Sequence, residues 1–137
     1  MNRRHNESGA VTVMIVVLTI AVVAASGLVI DGGRVLAARR DATNIAAAAA
    51  RTAAQELDVT RFENNNQVDL ISDDARKVAE EILTRQGYAL ADTTITVDGP
   101  TVRVEIRDDV PLTLLALTGI RTRTVVGTAT ATLTQQP

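Results

Sequence analysis

Residues 28–57 read LVIDGGRVLAARRDATNIAAAAARTAAQEL. The stretch begins as the end of an apolar run, crosses the charges of Asp31 and Arg34, and becomes a segment built largely of alanine. Alanine is the best helix former, and no proline interrupts residues 33–57. A soluble helix usually carries a stripe of leucine or isoleucine for its core. Here Val35, Ala38, Ala42, Ile45, Ala49 and Ala53 recur at steps of three or four, so they share one face. Beside them Ala38, Ala42, Ala46, Ala50 and Ala54 make an unbroken ridge at i+4 spacing. Such a ridge fits the groove of a neighbour, and methyl side chains let two backbones come close. Either the chain's own sheet or the helix of another copy or partner would satisfy it. Arg34, Arg39, Arg40, Asp41, Arg51, Gln55 and Glu56 supply polar surface.

Toward the N-terminus, residues 10–30 (AVTVMIVVLTIAVVAASGLVI) carry no charge. About 20 apolar residues cross the hydrocarbon core of a bilayer, so the leading reading is a single-pass span. Thr12, Thr19 and Ser26 are compatible with it, because their hydroxyls can bond carbonyls of their own helix. Two rival fates use the same residues. Arg3 and Arg4 with Ala24-Ala25-Ser26 resemble a cleaved secretory signal, although the apolar run continues to Ile30. The order ESG then AVTVM also resembles a pilin-type leader cut between Gly9 and Ala10. Pilins carry a Glu five residues into the mature chain, and Met14 stands there. Arg3 and Arg4 on one flank face Arg34, Arg39 and Arg40 on the other, so charge does not fix the orientation. Gly32-Gly33 reads as a flexible joint near the membrane surface, with Asp31 able to cap a restart. If the helix runs through instead, residues 10–57 make a rod of about 70 Å.

Toward the C-terminus, residues 58–71 include ENNNQ, a polar loop signal. Ser72 followed by Asp73 and Asp74 reads as the start of a second helix over about residues 73–86. Ala75, Val78, Ala79, Ile82 and Leu83 form its apolar stripe, and Gly87 its left-handed stop. The period then changes to two: Ile95 and Val97, then Val102, Val104 and Ile106, with Asp98-Gly99-Pro100 as the turn. Pro111 opens a short helix, PLTLLALTG, closed by Gly119. RTRTVVGTATATLT is a further strand, whose small Ala129 and Ala131 suit a closely packed helix. The fold class is α+β: a long N-terminal helix packed with a second helix on a small antiparallel sheet, a pilin-like plan. The division is a short basic tail (1–9), a transmembrane helix (10–30), an alanine-rich stalk helix (31–57) and a small α+β domain outside the cytoplasm (58–137).

The chemistry available is narrow. With 137 residues the chain makes one domain, and its only aromatics, Phe62 and Tyr88, do not build a thick core. There is no cysteine, which removes disulfides, thiolate metal sites and thiol nucleophiles. His5 is the only histidine and sits in the tail, so no histidine-based triad or metal site can be assembled. Asp73-Asp74 and Asp108-Asp109 are chain neighbours that do not face each other, as an acid–base pair must. IDGG and VDGP lack the length of a phosphate loop. A net charge of −2 and the want of an aromatic platform argue against nucleic acid. The reading is therefore no enzyme, no cofactor, no metal and no small-molecule substrate.

The residues VIDGGRVLAARRDATNIAAAAARTAA resemble the N-terminal signature of the TadE/TadG-like proteins of Flp/Tad pilus assembly. That signature is an apolar span, then Asp-x-Gly-Arg, a basic pair, an Asn and an alanine-rich helix. Asp31, Gly33, Arg34, Arg39, Arg40 and Asn44 match it, while Ala47 stands where the family commonly has an acidic residue. The resemblance covers about the first 55 residues. It implies a membrane-anchored, minor pilin-like structural or assembly component of a pilus or secretion system, with no enzymatic activity. Its partners would be the lipid bilayer, other pilin-like or Tad assembly proteins, and further copies of itself. The alternatives are a single-pass envelope-anchored binding or regulatory module, or a secreted protein released by signal cleavage.

Overall fold

The computed structural model describes residues 7–63 and 68–132; residues 1–6 with His5, the Asn-rich residues 64–67 and residues 133–137 lie outside them. Helix α1 runs from Glu7 to Glu63, 57 residues, or about 85 Å at 1.5 Å per residue. It passes through Gly32-Gly33 without a break, so the expected joint does not form. Neither glycine takes a positive φ, and the cost of about 1 kcal/mol for each glycine in a helix is small beside the contacts that hold this region.

Helix α2 spans Val68–Arg85. It starts a turn earlier than Ser72 suggested. Of the polar loop expected over 58–71, residues 58–63 and 68–71 are helical, and residues 64–67 lie outside the described residues. The C-terminal end of α2 is closed as the sequence implies. Gly87 has φ +88°, its N–H donates to Thr84 O at 3.0 Å, and the Tyr88 N–H donates to Leu83 O at 3.0 Å. These two bonds satisfy carbonyls that the helix would otherwise leave free.

The sheet has three antiparallel strands in the order β1-β2-β3: β1 Thr93–Asp98, β2 Thr101–Pro111 and β3 Thr122–Thr132. The β1–β2 turn brings Asp98 opposite Thr101, and β2–β3 pairing runs from Thr101–Thr132 to Pro111–Thr122. Alternation does what its period requires. Val102, Val104 and Ile106 are fully buried, whereas Arg103 and Glu105 between them are exposed and half-buried respectively, and Arg107 just beyond is exposed. Between β2 and β3 lies a short 3-10 helix, Leu115–Thr118, stopped by Gly119 at φ +96°.

The core lies between the inner face of this sheet and the two helices. Ala42, Ala46, Ala49, Ala50 and Ala53 of α1 are fully buried, with Ala75, Ala79 and Leu83 of α2 and Ile106 of β2 in the same cluster. Close approach takes the place of bulk. At Gly127 on β3 a Cβ would stand 2.4 Å from the Ala42 carbonyl carbon and 2.5 Å from the Thr43 nitrogen. The strand therefore rests on the helix backbone itself. The alanine ridge that could have faced a neighbour is used within the chain: Ala42, Ala46, Ala50 and Ala54 are buried, and Ala38 is half-buried.

Candidate functional site

Asp31 is the one buried charged residue among those described, and its side chain is inaccessible. An isolated carboxylate in that state would be costly. The cost is offset by three backbone donors from the β2–β3 loop, more than eighty residues away in sequence. Asp31 Oδ1 accepts from Thr113 N–H at 3.0 Å. Its Oδ2 accepts from Leu114 N–H at 2.8 Å and Leu115 N–H at 2.7 Å. The first N–H groups of any helix lack partners within it. The residue preceding this 3-10 helix, Leu114, offers no side-chain cap, so a carboxylate from α1 serves instead.

The rest of the clasp lies on the same side of α1. Arg34, one turn on, donates from Nη1 to Thr113 Oγ1 and stands 3.9 Å from Asp31 Oδ1. Gly27, one turn back, is buried, and a Cβ on it would come within 2.9 Å of Leu114 Cβ. At the base of the loop the Leu112 N–H donates to Arg121 O at 2.8 Å. Gly27, Asp31 and Arg34 thus hold the loop by a steric socket, a charged acceptor and a side-chain donor.

The other singled-out residues go elsewhere. Gly33 is exposed with nothing near its missing Cβ. Arg39, Arg40 and Asn44 are exposed and, with Leu36 and Thr43, border a shallow groove of about 450 Å³. At 100° per residue Leu36, Arg40 and Asn44 fall on the side of α1 away from Gly27, Asp31 and Ala42, and Arg39 lies on the flank, about 60° from Ala42. Gly9 and Ala10 are exposed in the first turns of α1. The signature therefore divides: Asp31 and Arg34 work inside the fold, while Arg39, Arg40 and Asn44 stand outside it.

Asp108 and Asp109 line a polar recess of about 390 Å³ with Gly87, Tyr88, Arg107 and Thr124. Asp109 Oδ1 accepts from Thr124 Oγ1 at 2.6 Å. Burial, and then the carboxylates of Asp108 and Asp41, push the Tyr88 phenol above its ordinary value of 10.0. Among the described residues no three acidic or histidine side chains gather as a metal site would need.

Sequence reasoning missed three residues: Asp31 as an acceptor for a distant loop, and Gly27 and Gly127 as sockets. One signal for the first was legible, since the carboxylate closes a charge-free run one turn beyond a glycine. For Gly127 the signal was its place among the alternating small residues of β3.

From Val11 to Val23 every large apolar side chain is more than half exposed, on all sides of the helix. A helix apolar all round and unburied in its own chain has the character of a membrane segment. The molecule is thus one helix long and apolar enough to cross a membrane, continued without a break into a small α+β head. Residues 9–56, most of α1, match the family model described as putative Flp pilus-assembly TadE/G-like. No curated protein and no solved structure matches the chain.

Proposed function

We infer that the chain is a membrane-anchored, minor pilin-like assembly component of a Flp/Tad-type pilus or secretion system. Residues 10–30 span the bilayer, and the head lies outside the cytoplasm. The observation that carries this reading is the continuity of α1. The family match and the all-round apolar segment fall on the same helix whose alanine face forms the core of the head. The role is mechanical, holding a small rigid head at a set height and angle above the membrane.

Because the alanine ridge is occupied within the chain, contact with other assembly proteins is left to the exposed residues of α1 beyond the span. Leu36, Arg39, Arg40 and Asn44 are exposed there. Two arginines beside a leucine suit an acidic, partly apolar partner surface. The test is co-purification of pilin-like components with a variant carrying Arg39→Glu and Arg40→Glu. Loss of the partners, with the head still folded by Tyr88 fluorescence, supports this face. Unchanged recovery removes it. Mass spectrometry of the mature N-terminus distinguishes an intact chain from one beginning at Ala10 or near Gly27, and the last result sinks the anchor. A reporter fused after Pro137 reads the side.

A further inference from the structure

We propose that the β2–β3 loop is a second membrane contact, with its 3-10 tip seated among the lipid acyl chains beside the span. The proposal rests on the reading that residues 10–30 cross a bilayer. Four observations carry it.

The first is position. The tip does not rest on the head; it lies along the apolar part of α1. A groove of about 330 Å³ between them is lined by Thr19, Ile20, Val23 and Gly27 on the helix and by Leu114 and Leu117 on the loop. Positions 27 to 19 are four to twelve residues to the membrane side of Asp31, about 6–18 Å along the helix axis. If the span is in lipid, so is the tip.

The second is surface. Leu117 is 84% exposed and Ile120 53% exposed. Large apolar side chains left bare on a tip call for a cover. Continuity decides which: the patch adjoins the bare apolar sides of Val23 and Ile20, themselves more than half exposed.

The third is the backbone. Non-helical chain enters hydrocarbon only when its polar groups are satisfied. In this loop the N–H groups of Thr113, Leu114 and Leu115 are taken by Asp31. Those of Leu112, Leu117 and Gly119 are taken by Arg121 O, Leu114 O and Ala116 O. The clasp thus removes donors that would otherwise resist insertion.

The fourth is charge. No ionisable residue occurs between Pro111 and Ile120, whereas Arg121 and Arg123 follow at once and are exposed. Apolar tip and basic base match acyl chains and anionic headgroups in turn.

The absence of cysteine from the chain allows single labels to be placed cleanly. The full chain is reconstituted in phosphatidylcholine–phosphatidylglycerol vesicles with one environment-sensitive fluorophore, through Leu117→Cys, Val16→Cys or Thr96→Cys. Leu117 is exposed, so its replacement leaves the head folded. Lipid-borne doxyl groups and aqueous iodide serve as quenchers. We expect the label at 117 to behave as the one at 16, quenched several-fold more by doxyl lipid than by iodide, and the label at 96 to show the reverse. Iodide quenching at 117 with lipid quenching at 16 overturns the proposal and leaves the anchor standing. Shielding at 117 from both quenchers overturns it in favour of a protein cover, such as a second copy. Iodide quenching at 16 shows that the span itself fails, and the loop contact fails with it.

Discussion

The substitution Gly127→Ala adds one methyl group where there is no room for it. Its Cβ would stand 2.4 Å from the Ala42 carbonyl carbon, 2.5 Å from the Thr43 nitrogen and 2.7 Å from Ala42 Cβ. The first two are backbone atoms of a helix and cannot rotate away, so strand and helix must separate along this line. Forcing an extra methyl into a packed interior costs about 1–3 kcal/mol. Removing a glycine from the unfolded chain returns about 0.4–1 kcal/mol. The balance is a loss of about 1–2 kcal/mol. For a folded unit of this size that lowers the Tm by about 4–16 °C. The assay is thermal unfolding of the full chain in detergent micelles, followed by the fluorescence of its single tyrosine. Gly32→Ala is the control: the same methyl group meets nothing within 4 Å, and helix propensity makes it stabilising by about 0.5–1 kcal/mol. Adding Ala42→Gly to Gly127→Ala removes the contact at 2.7 Å but leaves the two backbone contacts, so rescue should be partial at most. An unchanged or raised Tm for Gly127→Ala, or full rescue by Ala42→Gly, would refute the claim that β3 rests on the helix backbone.

Three further outcomes follow from the same geometry. Ala46 is fully buried and Ala48 exposed, so Ala46→Leu should destabilise the head by about 1–3 kcal/mol, whereas Ala48→Leu should stay within about 0.5 kcal/mol of the parent by the same unfolding assay. Asp31→Asn turns an amide donor toward donors, so amide hydrogen exchange at Thr113, Leu114 and Leu115 should accelerate while exchange at Val104 holds; equal protection in both proteins would contradict the clasp. Tyr88 is the only tyrosine, so phenolate absorbance should titrate with a midpoint above 10.0 in the folded chain. Its raised folded value means the neutral phenol's stabilisation is complete below the unfolded pKa of about 10 and is lost as pH rises through the folded one; a midpoint at or below 10.0 would remove the stated cause.

Much of the fold was legible because its signals are local. A period of two placed β1 and β2, and the step of three and four placed the stripe of α2. Glycine marked three chain reversals, at residues 87, 99 and 119. The long helix was legible in composition, but its continuity was not. Two adjacent glycines carry a local propensity for a break, while the contacts that hold Asp31 and Arg34 on the far loop are set only by the tertiary fold. The ridge shows the same limit. Spacing established that Ala42, Ala46 and Ala50 share a face, and could not say whether that face meets the chain's own sheet or a neighbour. What decided it was Gly127, a residue with no side chain to attract notice. The clasp was hidden for a related reason: Asp31 accepts from backbone N–H groups, which every residue has, so no side-chain pattern in the loop announces it.

The contacts that fix the head are arranged along one line of α1. At 100° per residue, positions 27, 31, 34, 42 and 49 lie within about 80° of one another. Gly27 receives Leu114, Asp31 and Arg34 hold Thr113 and its neighbours, Ala42 receives Gly127, and Ala49 enters the core. The head is therefore laid against the helix along a line that runs down into its apolar part, and is not perched on the end of a flexible tether. Two consequences follow. Arg40 and Asn44 lie away from this line and are exposed, with Leu36 and Arg39 exposed beside them. The direction of these side chains relative to the head is set by helix geometry and needs no partner to define it. The lowest element on the opposite side, the leucine tip of the β2–β3 loop, has no head residues left beneath it to cover its side chains. One helix thus fixes both surfaces, and the same contacts that direct the basic side chains outward carry the apolar tip down beside the apolar part of α1.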